Sequence, residues 1–349
     1  MLAAFTQACE NEYGGTIEVP PGTYLLETIN FQGPCIAPVA FNITGSFIAP
    51  ADPSIGSEHW IMFTNIYGFA IYGNGSFDGQ GSLAWPQNNC TQGPCPTLPV
   101  SMKFNDVKNA TIEGITLLNS KYFHFHIFGC ESMSMINIKI NAPGDSPNTD
   151  GMHISYSDNI QITNLQIGTG DDCISLGPGS TNINITNVAC GPGHGISIGS
   201  LGRAPGELDV HGISVIGCIF TGTQNGVRIK TWAPSPPSNV FDIVFQDIIV
   251  DGVFNPIVVD QFYCPYPSCD QGDSQVQITN VKFMNIRGTS VSNVSVDLNC
   301  SKIAPCEGIV FQDLNIILND NQRPTIASCS NFNGTFSGDQ IPSECIETT

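Results

Sequence analysis

Four short strings carry side chains fit for acid–base work on an anionic ligand. They are Asn148-Thr149-Asp150-Gly151, Gly170-Asp171-Asp172-Cys173, Gly193-His194-Gly195 and Arg228-Ile229-Lys230. Paired carboxylates are what glycoside hydrolysis needs: one protonates the leaving oxygen and the other activates water. Arg228 and Lys230 alternate across Ile229, so both should project to one face of a strand while Ile229 enters the core. An arginine fork and a lysine point charge would then hold the carboxylate of a sugar acid. The flanking glycines allow close backbone approach and turns that other residues resist.

Taken singly, each string has a plainer reading. Asp171 and Asp172 could be turn aspartates capping a coil end, and Ser146-Pro147-Asn148 before Asp150 is good turn chemistry. Arg228 and Lys230 could form salt bridges with some of the 30 acidic residues. Spacing favours the functional reading. Asp150 to Asp171/Asp172, and Asp172 to His194, are each about one repeat, and stacked strands lie about 4.8 Å apart. The spacing predicts that Asp150, Asp171, Asp172 and His194 share one face, with Arg228 and Lys230 just beyond. Carboxylates so close cannot all ionise freely, so one should keep a proton as general acid. Lys121, His124, His126, His153 and Arg203 are further candidates for the pocket, although His124 and His126 could equally be structural.

The elements that must position these residues follow an imperfect repeat: apolar, any residue, Asn/Asp/Gly, apolar. Gly114, Asn137, Asn164, Asn187, Gly217, Asp247, Asn285 and Asp313 occupy its third place, about 23 to 38 residues apart, a solenoid period. Each unit alternates with period two and is rich in Ile, Val and Phe, which reads as strand. A parallel β-helix follows, with variable loops on one side where binding faces form; the alternative is a large β-sandwich. Only Leu2 to Tyr13 could be helical, as a cap on one end. Residues 1–349 are read as one catalytic domain.

A formal net charge of −19 argues against nucleic acid, where a basic face supplies most of the affinity, and against anionic membranes. No stretch approaches the roughly 18 apolar residues of a membrane span. Fourteen cysteines and sequons at Asn42, Asn74, Asn89, Asn109, Asn184, Asn293, Asn299 and Asn333 point to an oxidising, glycosylating compartment. Cys90/Cys95, Cys264/Cys269 and Cys300/Cys306 are close pairs, with Cys329/Cys345 and Cys173/Cys190 wider. Cys130 and Cys218 have no obvious partner and are expected to be buried thiols. The start at Met1 lacks a signal peptide, so the expectation is a mature or N-terminally shortened secreted protein.

The strings Asn-Thr-Asp, Gly-Asp-Asp, Gly-His-Gly and Arg-Ile-Lys, in this order, resemble the four signatures of the polygalacturonases, family 28 of the glycoside hydrolases. Phe77-Asp78-Gly79-Gln80-Gly81, Asn88-Asn89-Cys90 to Cys95 with Leu98-Pro99, and Gly191 to Gly202 look most like the pollen-type plant exopolygalacturonases. The resemblance implies a right-handed parallel β-helix and inverting hydrolysis of α-1,4 bonds in pectin or polygalacturonate. It implies no cofactor or metal, and a secreted monomer acting at the cell wall. Asp171 would be the general acid, Asp150 and Asp172 would activate water, and His194 would tune or orient the acid. Arg228 and Lys230 would grip the substrate carboxylate, with Asn148 and Tyr263 at the substrate. For Tyr263 the alternative is a buried aromatic beside a disulfide. The family's usual segment before the first cysteine is largely missing here.

Two rivals remain open. A pectate lyase-like β-helix would hold Ca²⁺ on the aspartates and cleave by β-elimination. A non-catalytic β-helix, whether a wall-binding or adhesive protein or an inactive paralogue, need not retain all six polar residues. Endo action, and rhamnogalacturonan or xylogalacturonan as substrate, are also compatible with the signatures.

Overall fold

The repeated Asn, Asp or Gly is the residue at which the backbone turns. In the computed structural model, which describes residues 1–52, 57–87, 98–266, 268–320 and 323–347, all eight of these positions have positive φ. Gly114 lies at +75°, Asn137 at +54°, Asn164 at +59° and Asn187 at +55°; Gly217, Asp247, Asn285 and Asp313 follow at +67°, +54°, +48° and +54°. Left-handed backbone clashes with Cβ in most residues, and Asn and Asp tolerate it through local hydrogen bonds. One such turn per coil therefore explains the pattern read from sequence.

The chain divides into two compact units, Met1–Asp171 and Asp172–Thr349, each a stack of parallel strands. In the first, coils repeat three strands. One series pairs Gly15–Val19, Val39–Ile43, Tyr67–Gly73, Lys108–Glu113, Glu131–Ile136 and Asp158–Thr163 in order. The series that carries the site runs Ile29–Gln32, His59–Thr64, Val100–Asn105, Phe125–Phe128 and Met152–Ser155. In the second unit the corresponding series is Ile174–Leu176, Ile196–Leu201, Asn225–Trp232, Asn255–Tyr263, Val294–Asn299, Ile326–Ser330 and Cys345–Glu347. The fold is a parallel β-helix.

Inward residues stack along the coils. Phe245, Phe283 and Phe311 are nearly parallel, with centroids 5.2 and 5.1 Å apart, close to the strand spacing. The N-terminal helix spans Leu2–Cys9, shorter than the expected 2–13. The Cys9–Cys35 disulfide and the left-handed turn at Gly14 end it, and Tyr13 is exposed. Phe5 docks the helix on Phe31 at 5.0 Å, so it does act as a cap.

Disulfides join Cys173–Cys190, Cys264–Cys269, Cys300–Cys306 and Cys329–Cys345, as the spacing indicates. Cys9–Cys35 was not evident from spacing. Cys130 and Cys218 are free and buried. Cys90, Cys95 and the sequon at Asn89 lie outside the described residues. Among the described residues no helix is long and apolar enough to cross a membrane.

Candidate active site

In the first unit, Thr149 ties the Asp150 segment to the Asp171 segment. Its hydroxyl donates to the Ser146 carbonyl at 3.0 Å and accepts from the Gly170 N–H at 3.0 Å. A Cβ at Gly170 would fall 2.0 Å from the Ser146 carbonyl oxygen, so only glycine lets the two segments close. Thr169 Oγ1 donates to the Asp171 carbonyl at 3.1 Å. Asp150 is buried, Asp171 is half-buried, and Asn148 is half-buried in a left-handed turn.

His124 holds the Asp150 backbone from the preceding coil. Its N–H donates to the Asp150 carbonyl at 2.8 Å, and its Nδ1 meets the same oxygen at 3.1 Å. The Ser120 N–H donates to Nε2 at 3.3 Å, which places the ring proton on Nδ1. Burial pushes this imidazole down to about 4, against hydrogen bonds to backbone carbonyls that favour the cation. His124 is therefore a neutral structural group. Lys121 leaves the predicted pocket as well: buried, it donates to the carbonyls of Pro50 at 2.8 Å and Gly79 at 2.5 Å. His126 and His153 remain on the outer face, register partners with rings 5.4 Å apart.

In the second unit, Asp172 is the centre of a buried charge cluster. Arg228 Nη2 donates to Oδ1 at 2.9 Å and Lys230 Nζ to Oδ2 at 2.7 Å. Ser197 Oγ donates to Oδ1 at 2.8 Å and accepts from Arg228 Nε at 3.0 Å. Burial alone would raise the Asp172 carboxyl; the Lys230 and Arg228 charges, with hydrogen bonds from Lys230 and Ser197, outweigh it and hold the group down at about 2. Asp172 is thus a permanent anion and not the carboxyl that keeps a proton. Asp260, the register partner of Lys230, lies close enough to Arg228 to feel its charge.

The strand geometry accounts for this set. Ser197 and Arg228 are register partners, and Ile229 between the cations is fully buried, as alternation predicts. Cys173 N–H donates to the Gly195 carbonyl at 2.8 Å, setting Asp172 beside His194. A carboxylate oxygen of Asp172 and a ring nitrogen of His194 lie within 4.8 Å. Gly195 sits at φ +87°, and a Cβ there would fall 2.2 Å from the Asn225 carbonyl. Asn225 Nδ2 donates to the His194 carbonyl at 3.2 Å. Tyr263 is half-buried, with Lys230 Nζ 5.2 Å and the Arg228 guanidinium 6.0 Å from its ring centroid. It is an aromatic wall to the cationic pair, next to the Cys264–Cys269 disulfide. Ser197 and Trp232 were not singled out from sequence. Their only signal was outward alternation on strands that carry the motifs.

The profile of the glycosyl hydrolases family 28 matches residues 9–340. The chain belongs to that family. Among the family's curated relatives, an exopolygalacturonase of Platanus acerifolia is 45% identical over 346 residues, covering 98% of this chain and 92% of the relative. One from Oenothera organensis is 44% identical, covering 99% and 96%. Among solved structures, the endo-xylogalacturonan hydrolase of Aspergillus tubingensis superposes with TM-score 0.84 at 21% identity, over 99% of this chain and 95% of the other. The Stereum purpureum endopolygalacturonase I complexed with two galacturonates gives 0.75 at 20%, over 96% and 98%. These likenesses establish the right-handed β-helix of a family 28 member.

Proposed function

We propose that this protein is a secreted exopolygalacturonase, hydrolysing α-1,4 bonds between galacturonate units of pectin at a chain end, with residues 1–349 acting as one catalytic domain. The observation that carries the reading is the Asp172–Arg228–Lys230 cluster. A guanidinium and an ammonium held side by side against the Tyr263 ring suit a uronate carboxylate, whatever the net charge of −19, because screening beyond about 8 Å leaves local groups to decide. Relatives named exopolygalacturonase at 44–45% identity over nearly their whole length support the exo assignment. The disulfides support an extracellular setting.

In the proposed reaction Asp171 donates its proton to the glycosidic oxygen as the C1–O bond breaks. Water, activated by the Asp150 and Asp172 carboxylates, attacks C1 from the opposite face with inversion and passes its proton to Asp150, Asp172 staying ionised throughout; transfer back to Asp171 restores the resting state. His194 orients the acid. Arg228, Lys230, Tyr263 and Asn148 hold the sugar.

The Ca²⁺ lyase reading fits less well. Both Asp172 oxygens already accept from cationic donors, so a divalent ion there would face the charges of Arg228 and Lys230. Time-resolved product analysis on polygalacturonate decides among the readings. Monogalacturonate in the first minutes, slow loss of viscosity, full activity in chelator and total loss in Asp171→Asn are expected. A ladder of oligomers refutes exo action. An ultraviolet-absorbing unsaturated product, or turnover that survives Asp171→Asn, refutes the hydrolase mechanism.

A further inference from the structure

We propose that Arg203, Trp232 and Tyr266 form a second uronate-binding subsite, adjoining the Arg228/Lys230 pair and taking the next galacturonate along the chain. The inference rests on the polygalacturonate reading of the site. Trp232 ends the strand that carries Arg228 and Lys230, and its ring meets Tyr263 edge-on at 5.4 Å. Tyr263 in turn lies against both cations, so a chain of side-chain contacts runs from the charge cluster to Trp232. The Arg203 guanidinium stands 5.3 Å from the Trp232 ring centroid, and Tyr266 lies nearly parallel to the indole at 5.9 Å.

Arg203 is one of only 11 basic residues against 30 acidic ones. It is exposed, and among the described residues no carboxylate pairs with its side chain. Its position is nevertheless fixed. The Glu207 carboxylate accepts the main-chain N–H groups of Gly202, Arg203 and Ala204 at 2.7, 2.9 and 2.9 Å. Gly202, at φ +79°, packs so closely on Ser235 that a Cβ would come within 2.6 Å of it. The loop bearing Tyr266 is closed by the Cys264–Cys269 disulfide. Two braced loops thus present a guanidinium fork, which matches a carboxylate, and aromatic surface, which suits the C–H face of a pyranose. Such bracing lowers the ordering cost of binding.

The test is the dependence of KM on substrate length, measured with di-, tri- and tetragalacturonate for wild type, Arg203→Met, Tyr266→Ala and, as a charge control on an exposed position of the other sheet, Lys282→Met. Arg203→Met should raise KM for the trimer and tetramer about tenfold, the order expected for one charge-assisted hydrogen bond, and leave the dimer within about twofold. Tyr266→Ala should show the same length dependence, with kcat on the dimer intact as a check on folding. A uniform rise at all lengths, an equal effect from Lys282→Met, or no effect overturns the subsite. A wild type that turns over none of the oligomers overturns the polygalacturonate reading itself, and the subsite with it.

Discussion

Replacing Asp172 by Asn isolates the charge cluster on which the site depends. Asp172 is 1% exposed and Lys230 7%, so the substitution strands a buried ammonium without a counter-charge. Removing one partner of a buried pair costs about 3–5 kcal/mol. An independent figure comes from linkage. The Asp172 carboxyl falls from 3.8 to about 2 on folding, and at about 1.4 kcal/mol per pKa unit this is on the order of 2–3 kcal/mol. Because the folded value is the lower one, this stability is complete above about pH 4 and is lost as pH falls towards 2. Urea unfolding followed by circular dichroism should show Asp172→Asn less stable than wild type by about 3 kcal/mol at pH 7. The gap should stay constant to about pH 4.5 and narrow by about 1.5 kcal/mol by pH 2.5. Lys230→Met on the Asp172→Asn background should recover part of the loss by removing the stranded cation. A gap that does not narrow in acid, or an Asn variant as stable as wild type, would refute the cluster as described.

Two further outcomes follow. His124 and His126 are pushed down to about 4 and about 3, burial being the main cause in both; for both, the unfolded chain binds the proton first. Wild-type stability should therefore fall as pH drops from about 6.5 towards 4, by up to about 1.4 kcal/mol per pH unit for each histidine. The double variant His124→Asn/His126→Asn should flatten that slope in the same unfolding assay. Gly195→Ala puts a Cβ 2.2 Å from the Asn225 carbonyl at φ +87°. It should lower the thermal midpoint and cut kcat at least tenfold by displacing His194, and a variant with wild-type midpoint and kcat would show that the constraint is absent.

Most of the architecture was readable in the residues, for local reasons. Asn, Asp and Gly recur once per coil because each coil needs one left-handed turn, and side chains alternate because strands have two faces. Both constraints act within a few residues of chain, so they leave a pattern that survives without tertiary knowledge. The motif residues were legible for the same reason: Gly170 and Gly195 mark backbone contacts that exclude a Cβ, and they flank the polar groups. The cap helix was placed correctly and drawn too long, because the disulfide that ends it joins Cys9 to a residue 26 positions away.

What the sequence could not decide was which charge meets which. Lys121, His124, His126 and His153 were all candidates for the pocket, with a structural role open for His124 and His126, yet Lys121 and His124 are buried on backbone carbonyls and the other two face outward. Arg228 and Lys230 were read as ligands for the substrate, and the fold first spends their charge on Asp172, 56 and 58 residues away. The chain by itself determines the repeat, the faces and the presence of acids and cations, since these follow from neighbours along the backbone. Pairing, burial and the resulting proton affinities belong to the tertiary structure. They depend on distance and local dielectric, and only the stacking of one coil on the next sets those.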